Sequence, residues 1–297
     1  MTIREAVQRA RRCLEEHQVP DYETDAMLLL QAVCGIDRAM YYARSEEELE
    51  EADLYLEKVK LRSERIPLQQ ITGEAWFCGL CFRVSEDVLC PRQETEILVE
   101  EALKRLKPHD RFLDLCTGSG CIAISLLCLA AQKSGHGPVP GVTGDGGISQ
   151  KNLTGCGCDL SGKALEIAAY NAALHGVSDR LELVQSDLFS AVHGTVDMIV
   201  SNPPYIASDQ IASLMEEVRE HEPAMALDGG EDGLDFYRRI LAGAGGYLKE
   251  NGWLLVEIGY DQGDAVRSMF IDNGYGSVRV VKDLAGLDRV VLGQRCV

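Results

Sequence analysis

From Lys107 onward, short apolar runs alternate with amphipathic stretches, and this alternation restricts the possible folds more than any other feature of the sequence. "RFLDLC" reads as a strand, and "GCIAISLLCLAA" as a buried helix behind a glycine turn. "GCGCD" reads as a short strand before the helix "SGKALEIAAYNAALHG", which Ser161 can cap. "LELVQSD" and "VDMIVSN" are two further strands, followed by the helix "GLDFYRRILAGAGGYL" and the strand "GWLLVEIG". Strands separated by helices pair in parallel, because each helix carries the chain back across the sheet. "SVRVVKD" and "DRVVLGQ" are joined only by the short "LAGL" stretch, so one antiparallel member is expected. The expected fold class is α/β, with a doubly wound, mostly parallel sheet.

The first 75 or so residues have the helical period instead. Thr2-Ile3-Arg4-Glu5 has the form of a capping box, and Ala6, Ala10, Cys13 and Leu14 then share one face. Asp21 is expected to cap a second helix, which Gly35 ends. Ser45-Glu46-Glu47-Glu48 reads as a second capping box, with Leu49, Leu54, Leu56 and Val59 following it. "EAWFCGLCFRV" has the two-residue rhythm of a hairpin, and Pro91 ends that stretch. The expected organisation is a helical domain over 1–74, a β-hairpin linker over 75–92 and the α/β domain over 93–297.

A formal net charge of -18 makes stable binding to nucleic acid a poor expectation, because phosphate contacts need clustered Lys and Arg. It suits a cationic ligand or a basic protein partner better. No apolar run approaches the roughly 20 residues of a membrane span, and the amphipathic N-terminus has no signal-peptide core, so a cytoplasmic protein without membrane association is expected. The eleven cysteines read as small buried hydrophobes. Cys78 and Cys81 form a C-x-x-C, but Cys156 and Cys158 are too tightly spaced for a second knuckle and no histidine completes a set, so no metal is expected. The Gly- and Pro-rich stretch 132–155 reads as a long surface loop and lacks a Gly-Lys-Ser/Thr phosphate signature.

Four stretches that follow strands carry the chemistry. In "LDLCTGSGCIA", Gly118 and Gly120 permit close backbone approach, and helix N–H groups then face a ligand. Gly118-x-Gly120-x-x-Ala123 also satisfies the dinucleotide fingerprint, so a nicotinamide enzyme is an alternative at this point. Asp114 within the strand and the Thr117-Gly118-Ser119 turn resemble instead the S-adenosylmethionine site of class I methyltransferases. Asp159, at the end of the next strand, can accept two ribose hydroxyl protons. Asp187, with Leu188 beside it, is placed to meet an adenine amino group and its ring. "NPPY" follows the fourth strand. Pro203 and Pro204 have fixed φ and no N–H, so their carbonyls are held on a stiff turn beside the Asn202 amide and the Tyr205 ring. Such a set can grip an amide NH₂ or an adenine amino group.

Taken together, "RIPLQQITGEAWFCGLCFRV", "VLCPRQETEILVEEAL", "DLCTGSGCIAIS", "SNPPYI", "EPAMALDGGEDGLDFYRRI" and "KDLAGLDRVV" resemble the HemK/PrmC family of protein-(glutamine-N5) methyltransferases over nearly the whole chain. The resemblance implies a Rossmann-like, seven-stranded class I methyltransferase domain behind a substrate-recognising helical domain. It implies methyl transfer from S-adenosylmethionine to the glutamine of the Gly-Gly-Gln motif in class I peptide chain release factors, leaving S-adenosylhomocysteine, by a monomer active in translation termination. Cys116, Thr117, Gly118, Ser119, Gly120, Asp159, Asp187, Leu188 and Asn202 would then hold the cofactor. Asn202, Pro203, Pro204 and Tyr205 would hold the glutamine, with Asn202, Pro203 and Tyr205 catalytic. Adenine-N6 methylation of nucleic acid is the alternative that "NPPY" alone allows. Two residues depart from the family pattern: Cys116 stands where glycine is more usual, and Gln93 where proline is.

Overall fold

Thr2 and Glu5 cap the first helix reciprocally: the Glu5 amide donates to Thr2 Oγ1 at 3.2 Å and the Thr2 amide to Glu5 Oε2 at 2.9 Å. The computed structural model describes residues 1–132 and 153–296. Five helices come first: α1 (Ile3–Glu16), α2 (Tyr22–Cys34), α3 (Arg38–Arg44), α4 (Ala52–Ser63) and α5 (Leu68–Thr72). The hairpin strands β1 (Glu74–Phe77) and β2 (Leu80–Arg83) follow, then a 3₁₀ turn at Gln93–Thr95 leading into α6 (Glu96–Leu103). The chain continues through β3 (Arg111–Leu115), α7 (Cys121–Gln132), β4 (Thr154–Asp159), α8 (Gly162–Leu174), β5 (Leu181–Gln185) and β6 (Val196–Ser201). It ends with α9 (Glu216–His221), α10 (Asp235–Ala244), β7 (Leu248–Glu257), α11 (Gly263–Asp272), β8 (Tyr275–Lys282) and β9 (Asp288–Arg295).

The helical region differs from expectation in three places. Asp21 precedes α2 but makes no side-chain capping bond, while Gly35 does end that helix at φ 66°, where a Cβ would be strained. Ser45 does not open a helix. It follows α3, which Asp37 caps by accepting the Met40 amide at 2.7 Å, and Ser45 Oγ accepts from Arg4 Nη2 at 3.0 Å. α4 starts only after Glu51, so Tyr55 and Val59 are buried and Leu54 faces solvent. A Ser followed by three Glu suits a helix start, but it cannot show that the preceding turn is already helical. The expected 132–155 loop is shortened at both ends, because α7 includes Gln132 and β4 includes Thr154 and Gly155. Its remainder lies outside the described residues.

Two compact units result: Met1–Glu74 with Leu214–Glu222, and Ala75–Ser213 with Pro223–Val297. The helical unit packs Val7, Leu14, Leu29, Leu30 and Tyr55 into its core. It also buries an ionic cluster. Arg62 donates to Asp25 Oδ2 at 2.7 Å and to Glu217 Oε1 at 3.0 Å, and Arg65 Nη2 meets Glu217 Oε2 at 2.6 Å. Glu217 stands on α9, so a late segment of the chain completes the helical unit.

In the second unit the sheet order is β5-β4-β3-β6-β7-β9-β8. β3 pairs in parallel with β4 on one side and β6 on the other, and β9 is antiparallel to both β7 and β8. The chain order therefore reverses beside β3, the position where open α/β sheets bind ligands at the strands' carboxyl ends. Leu115 is opposite Cys158 in β4 and Ser201 in β6, which brings those three ends level. Gly155 is required by packing, because a Cβ there would stand 2.3 Å from Phe112 Cζ.

Candidate active site

A cavity of about 490 Å³ opens at the level strand ends, within the range typical of small-molecule sites. Cys116 to Ser119, Asp159, Asp187, Leu188, Asn202 and Pro204 line it, so one site gathers most of the residues singled out in the sequence. Gly120, Pro203 and Tyr205 are not on its lining.

The turn after β3 is shaped by backbone conformation. Cys116, Gly118 and Gly120 have φ of 59°, 55° and 79°. The left-handed region costs an L-residue roughly 1–2 kcal/mol, which explains why glycine suits position 116 and makes Cys116 a strained substitute. Burial, aided by the Asp159 charge, pushes the Cys116 thiol well up, so it stays protonated. At Gly120 a Cβ would come within 2.9 Å of Ile124 Cδ1, whereas nothing lies within 4 Å of a Cβ on Gly118. Gly120 thus permits the close approach of α8 at Ala168 to the start of α7, and Gly118 leaves room beside the turn.

Two carboxylates hold this turn from different sides. Asp159 Oδ2 accepts the Gly118 amide and Oδ1 the Ser161 amide, both at 2.9 Å. Each oxygen has a second lone pair to offer a ligand hydroxyl. Burial raises the Asp159 pKa, and those backbone donors oppose the rise. Asp114 is fully buried beneath the turn and absent from the cavity wall. Its Oδ2 accepts from Thr117 Oγ1 at 2.6 Å and from the Ala123 amide at 3.2 Å. Asp114 is therefore a brace for the turn.

Asp187 lines the cavity, but its Oδ1 is already paired with Arg239 Nη2 at 2.6 Å. Asn202 donates its Nδ2 to Thr95 Oγ1 at 3.3 Å, which leaves Oδ1 without a protein donor among the described residues. No backbone hydrogen bond reaches the Pro203 or Pro204 carbonyl among those residues. The Tyr205 hydroxyl instead turns to Glu257 Oε1, at 3.3 Å. Thr95, Phe236, Arg239 and Glu257 were not singled out by sequence reasoning. A signal existed for Glu257, since a carboxylate closing the apolar run "WLLVE" has to be buried or at a strand end. Nothing local marks the other three.

Two family models match the sequence: the PrmC N-terminal domain over residues 5–73 and the methyltransferase small domain over 147–231. A methyltransferase structure from Pyrococcus furiosus is similar in fold, with a TM-score of 0.51 at 17% identity over 74% of this chain and 90% of that one. A release factor glutamine methyltransferase of Cereibacter sphaeroides is 44% identical over 90% of this chain and 89% of its own length. That of Geobacter sulfurreducens is 40% identical over 99% of this chain and 96% of its own. The seven-stranded sheet, the helical N-terminal unit and this near full-length similarity place the chain in the release factor glutamine methyltransferase family.

Proposed function

We propose that this chain transfers a methyl group from S-adenosylmethionine to the side-chain nitrogen of the glutamine in the Gly-Gly-Gln motif of class I release factors. The observation that carries the reading is a juxtaposition. An Asn202 oxygen without a protein donor, on a proline-stiffened turn, shares a cavity with the Asp159-braced glycine turn.

The residues present fit the cofactor. Asp159 would take the ribose hydroxyls, the Cys116–Gly120 turn the methionine portion, and Asp187 and Leu188 the adenine. Asn202 closes the same wall. When bound, the cofactor supplies an electrophilic methyl group on a sulfonium and leaves as S-adenosylhomocysteine. No cluster of metal-ligating side chains occurs among the described residues, and the reading uses no metal.

An amide nitrogen is a weak nucleophile, because its lone pair is delocalised. Asn202 Oδ1 and the Pro203 carbonyl would accept its two hydrogens, fixing the nitrogen and returning electron density to it. Positioning of this kind supplies up to about 7–11 kcal/mol of a barrier. Fixed acceptors around the nitrogen as it becomes positive add an electrostatic share, and the methylated nitrogen then releases one of its two protons to solvent to give the neutral N-methyl amide. The helical unit would recognise the release factor, with the β1–β2 hairpin as linker to a monomeric enzyme. Among the described residues no helix is long and apolar enough to cross a membrane.

The test is incubation of purified protein with labelled S-adenosylmethionine and a class I release factor, followed by peptide mass spectrometry. The label is expected on the Gly-Gly-Gln glutamine. Asn202→Ala is expected to keep cofactor affinity and lose most turnover. An unlabelled glutamine, or full turnover by the variant, would overturn the reading.

A further inference from the structure

Pro203, Pro204 and Tyr205 take part in no main-chain hydrogen bond among the described residues. The prolines fix the shape of their turn, since each locks φ, but not where that shape stands over the cavity. The hold on its two ends decides that. On the incoming side Ser201 lies in the sheet, opposite Leu115 and Val256. On the outgoing side a side chain takes the main chain: Gln262 Nε2 donates to the Tyr205 carbonyl at 2.9 Å.

Gln262 stands just before α11, where Ser, Thr, Asp or Asn would serve a helix best, and its side chain makes no capping bond there. It reaches back across the turn after β7 instead. Oε1 accepts the Gly259 amide at 2.9 Å and the Tyr237 hydroxyl at 3.3 Å. Nε2 gives its second hydrogen to the Gly233 carbonyl, also at 3.3 Å. Both hydrogens and both lone pairs of the amide are then in use. Its orientation is fixed as well, because a main-chain N–H faces one end and main-chain carbonyls face the other. The flipped amide would set donor against donor and acceptor against acceptor.

The 229–233 loop is cut to fit this junction. A Cβ on Gly233 would stand 2.4 Å from the Tyr205 carbonyl oxygen and 2.8 Å from Gln262 Nε2, and one on Gly229 would stand 2.7 Å from Tyr205 Cα. Ile206 bridges to the same stretch. Its amide donates to the Leu227 carbonyl at 3.0 Å, and its carbonyl accepts the Gly229 amide at 2.8 Å. Asp228 and Gly230 line the cavity together with Asn202 and Pro204, so one side-chain amide ties two parts of the cavity wall to the end of β7.

We infer that Gln262 is a positioning residue for methyl transfer: by pinning the Tyr205 carbonyl to the β7–α11 turn and to the 229–233 loop, it sets where the Asn202 and Pro203 oxygens stand over the reacting nitrogen. Gln262 does not line the cavity, so it acts through the proline turn and not on the cofactor. Without its donor the turn keeps its proline-fixed shape but loses its fixed place. The acceptors then miss the amide hydrogens. The loss falls on the transition state, where the nitrogen turns positive. Binding of a release factor suffers less, because a protein substrate spreads over far more surface. This rests on the reading of Asn202 as the acceptor.

The experiment compares the parent with Gln262→Leu, which removes all four bonds at similar volume, and with Gln262→Glu. The glutamate keeps an acceptor for Gly259 and Tyr237 but sets an oxygen against the Tyr205 carbonyl. Methylation of a release factor is followed at about pH 8.5, well above the usual glutamate value of about 4.3. Calorimetry with S-adenosylhomocysteine counts the folded, competent sites of each protein. Both variants are expected to lose about 10- to 100-fold in kcat, the effect of misplacing a reacting group by about 1 Å. KM for the release factor and affinity for S-adenosylhomocysteine are each expected to stay within about threefold. Failure of the glutamate variant alongside the leucine variant separates the donor to Tyr205 from support of the β7–α11 turn, which glutamate retains. Either variant at the parent kcat overturns the inference. So does a loss that disappears once the rate is divided by the number of sites that bind S-adenosylhomocysteine, or one that falls on KM alone. If Asn202→Ala is inactive while the Gln262 variants are normal, only the positioning role fails. If Asn202→Ala keeps the parent rate, the acceptor reading fails and this inference with it.

Discussion

Replacing Asp114 by asparagine removes a charge that the folded chain buries at a loss. Asp114 is fully buried, and burial pushes its carboxyl up to about 7 from an ordinary 3.8, against the lowering effect of Thr117 and the Ala123 amide. Its folded-state value lies above the unfolded one. Between these two values the folded chain keeps a proton that the unfolded chain has released, so stability falls as pH rises from near 3.8 to about 7 and is level beyond. At about 1.36 kcal/mol per pH unit, the interval amounts to roughly 4 kcal/mol. Asparagine imitates the protonated form. Its oxygen can keep the Thr117 and Ala123 bonds made by Oδ2, and its nitrogen takes the place of Oδ1, which has no partner among the described residues. Urea denaturation of both proteins, followed by far-UV circular dichroism at several pH values, reads the difference. The variant is expected to match the parent near pH 4 and to exceed it by up to about 4 kcal/mol at pH 7 and above. Affinity for S-adenosylhomocysteine is expected to stay within about tenfold, because Asp114 is not on the cavity wall. A stability gap that does not change with pH, or a variant weaker throughout, would refute the reasoning.

Asp159→Ala removes an acceptor for two backbone amides and for the proposed ribose hydroxyls, and is expected to weaken S-adenosylhomocysteine binding by about 100-fold or more in calorimetry; an unchanged Kd would remove Asp159 from the site. In the helical unit, the Glu217 carboxyl is lowered to about 2, its burial outweighed by Arg65 and Arg62. Its contribution of up to about 3 kcal/mol is present above the ordinary 4.5 and is lost as pH falls toward 2. Hydrogen exchange in α2 and α4 is therefore expected to quicken in acid, and already at neutral pH in Glu217→Gln; equal protection in the variant would contradict this. Gly155→Ala sets a Cβ against the Phe112 ring and is expected to cost about 1–3 kcal/mol, partly regained in a Phe112→Leu background, as read by thermal denaturation.

Much of the site was legible because it is written in short stretches. The turn after β3 announces itself through Gly118 and Gly120, since few other residues tolerate their φ. "NPPY" does so through two consecutive prolines. Asp159 followed from its place at a strand end. Asp114 was legible as a residue but not as a role: a carboxylate in a strand before a glycine turn can face the ligand or the core, and only packing tells which. The Ser45 capping motif misled for a related reason, because the residues that cap a helix also close the one before it.

The sequence by itself determined the elements and their chemistry, because hydrophobic period, proline and glycine limits on φ, and capping are properties of neighbouring residues. It determined the alternation that forces a parallel sheet, the helical start, and the four strand-end stretches. The tertiary structure decided which strand ends come level, that Asp187 is shared with Arg239, that Glu217 completes the helical unit, and that Thr95 and Glu257 stand behind Asn202 and Tyr205. Those pairings join residues from 52 to 155 positions apart. Sheet register and the burial of charge set them, and neither is a local property of the chain.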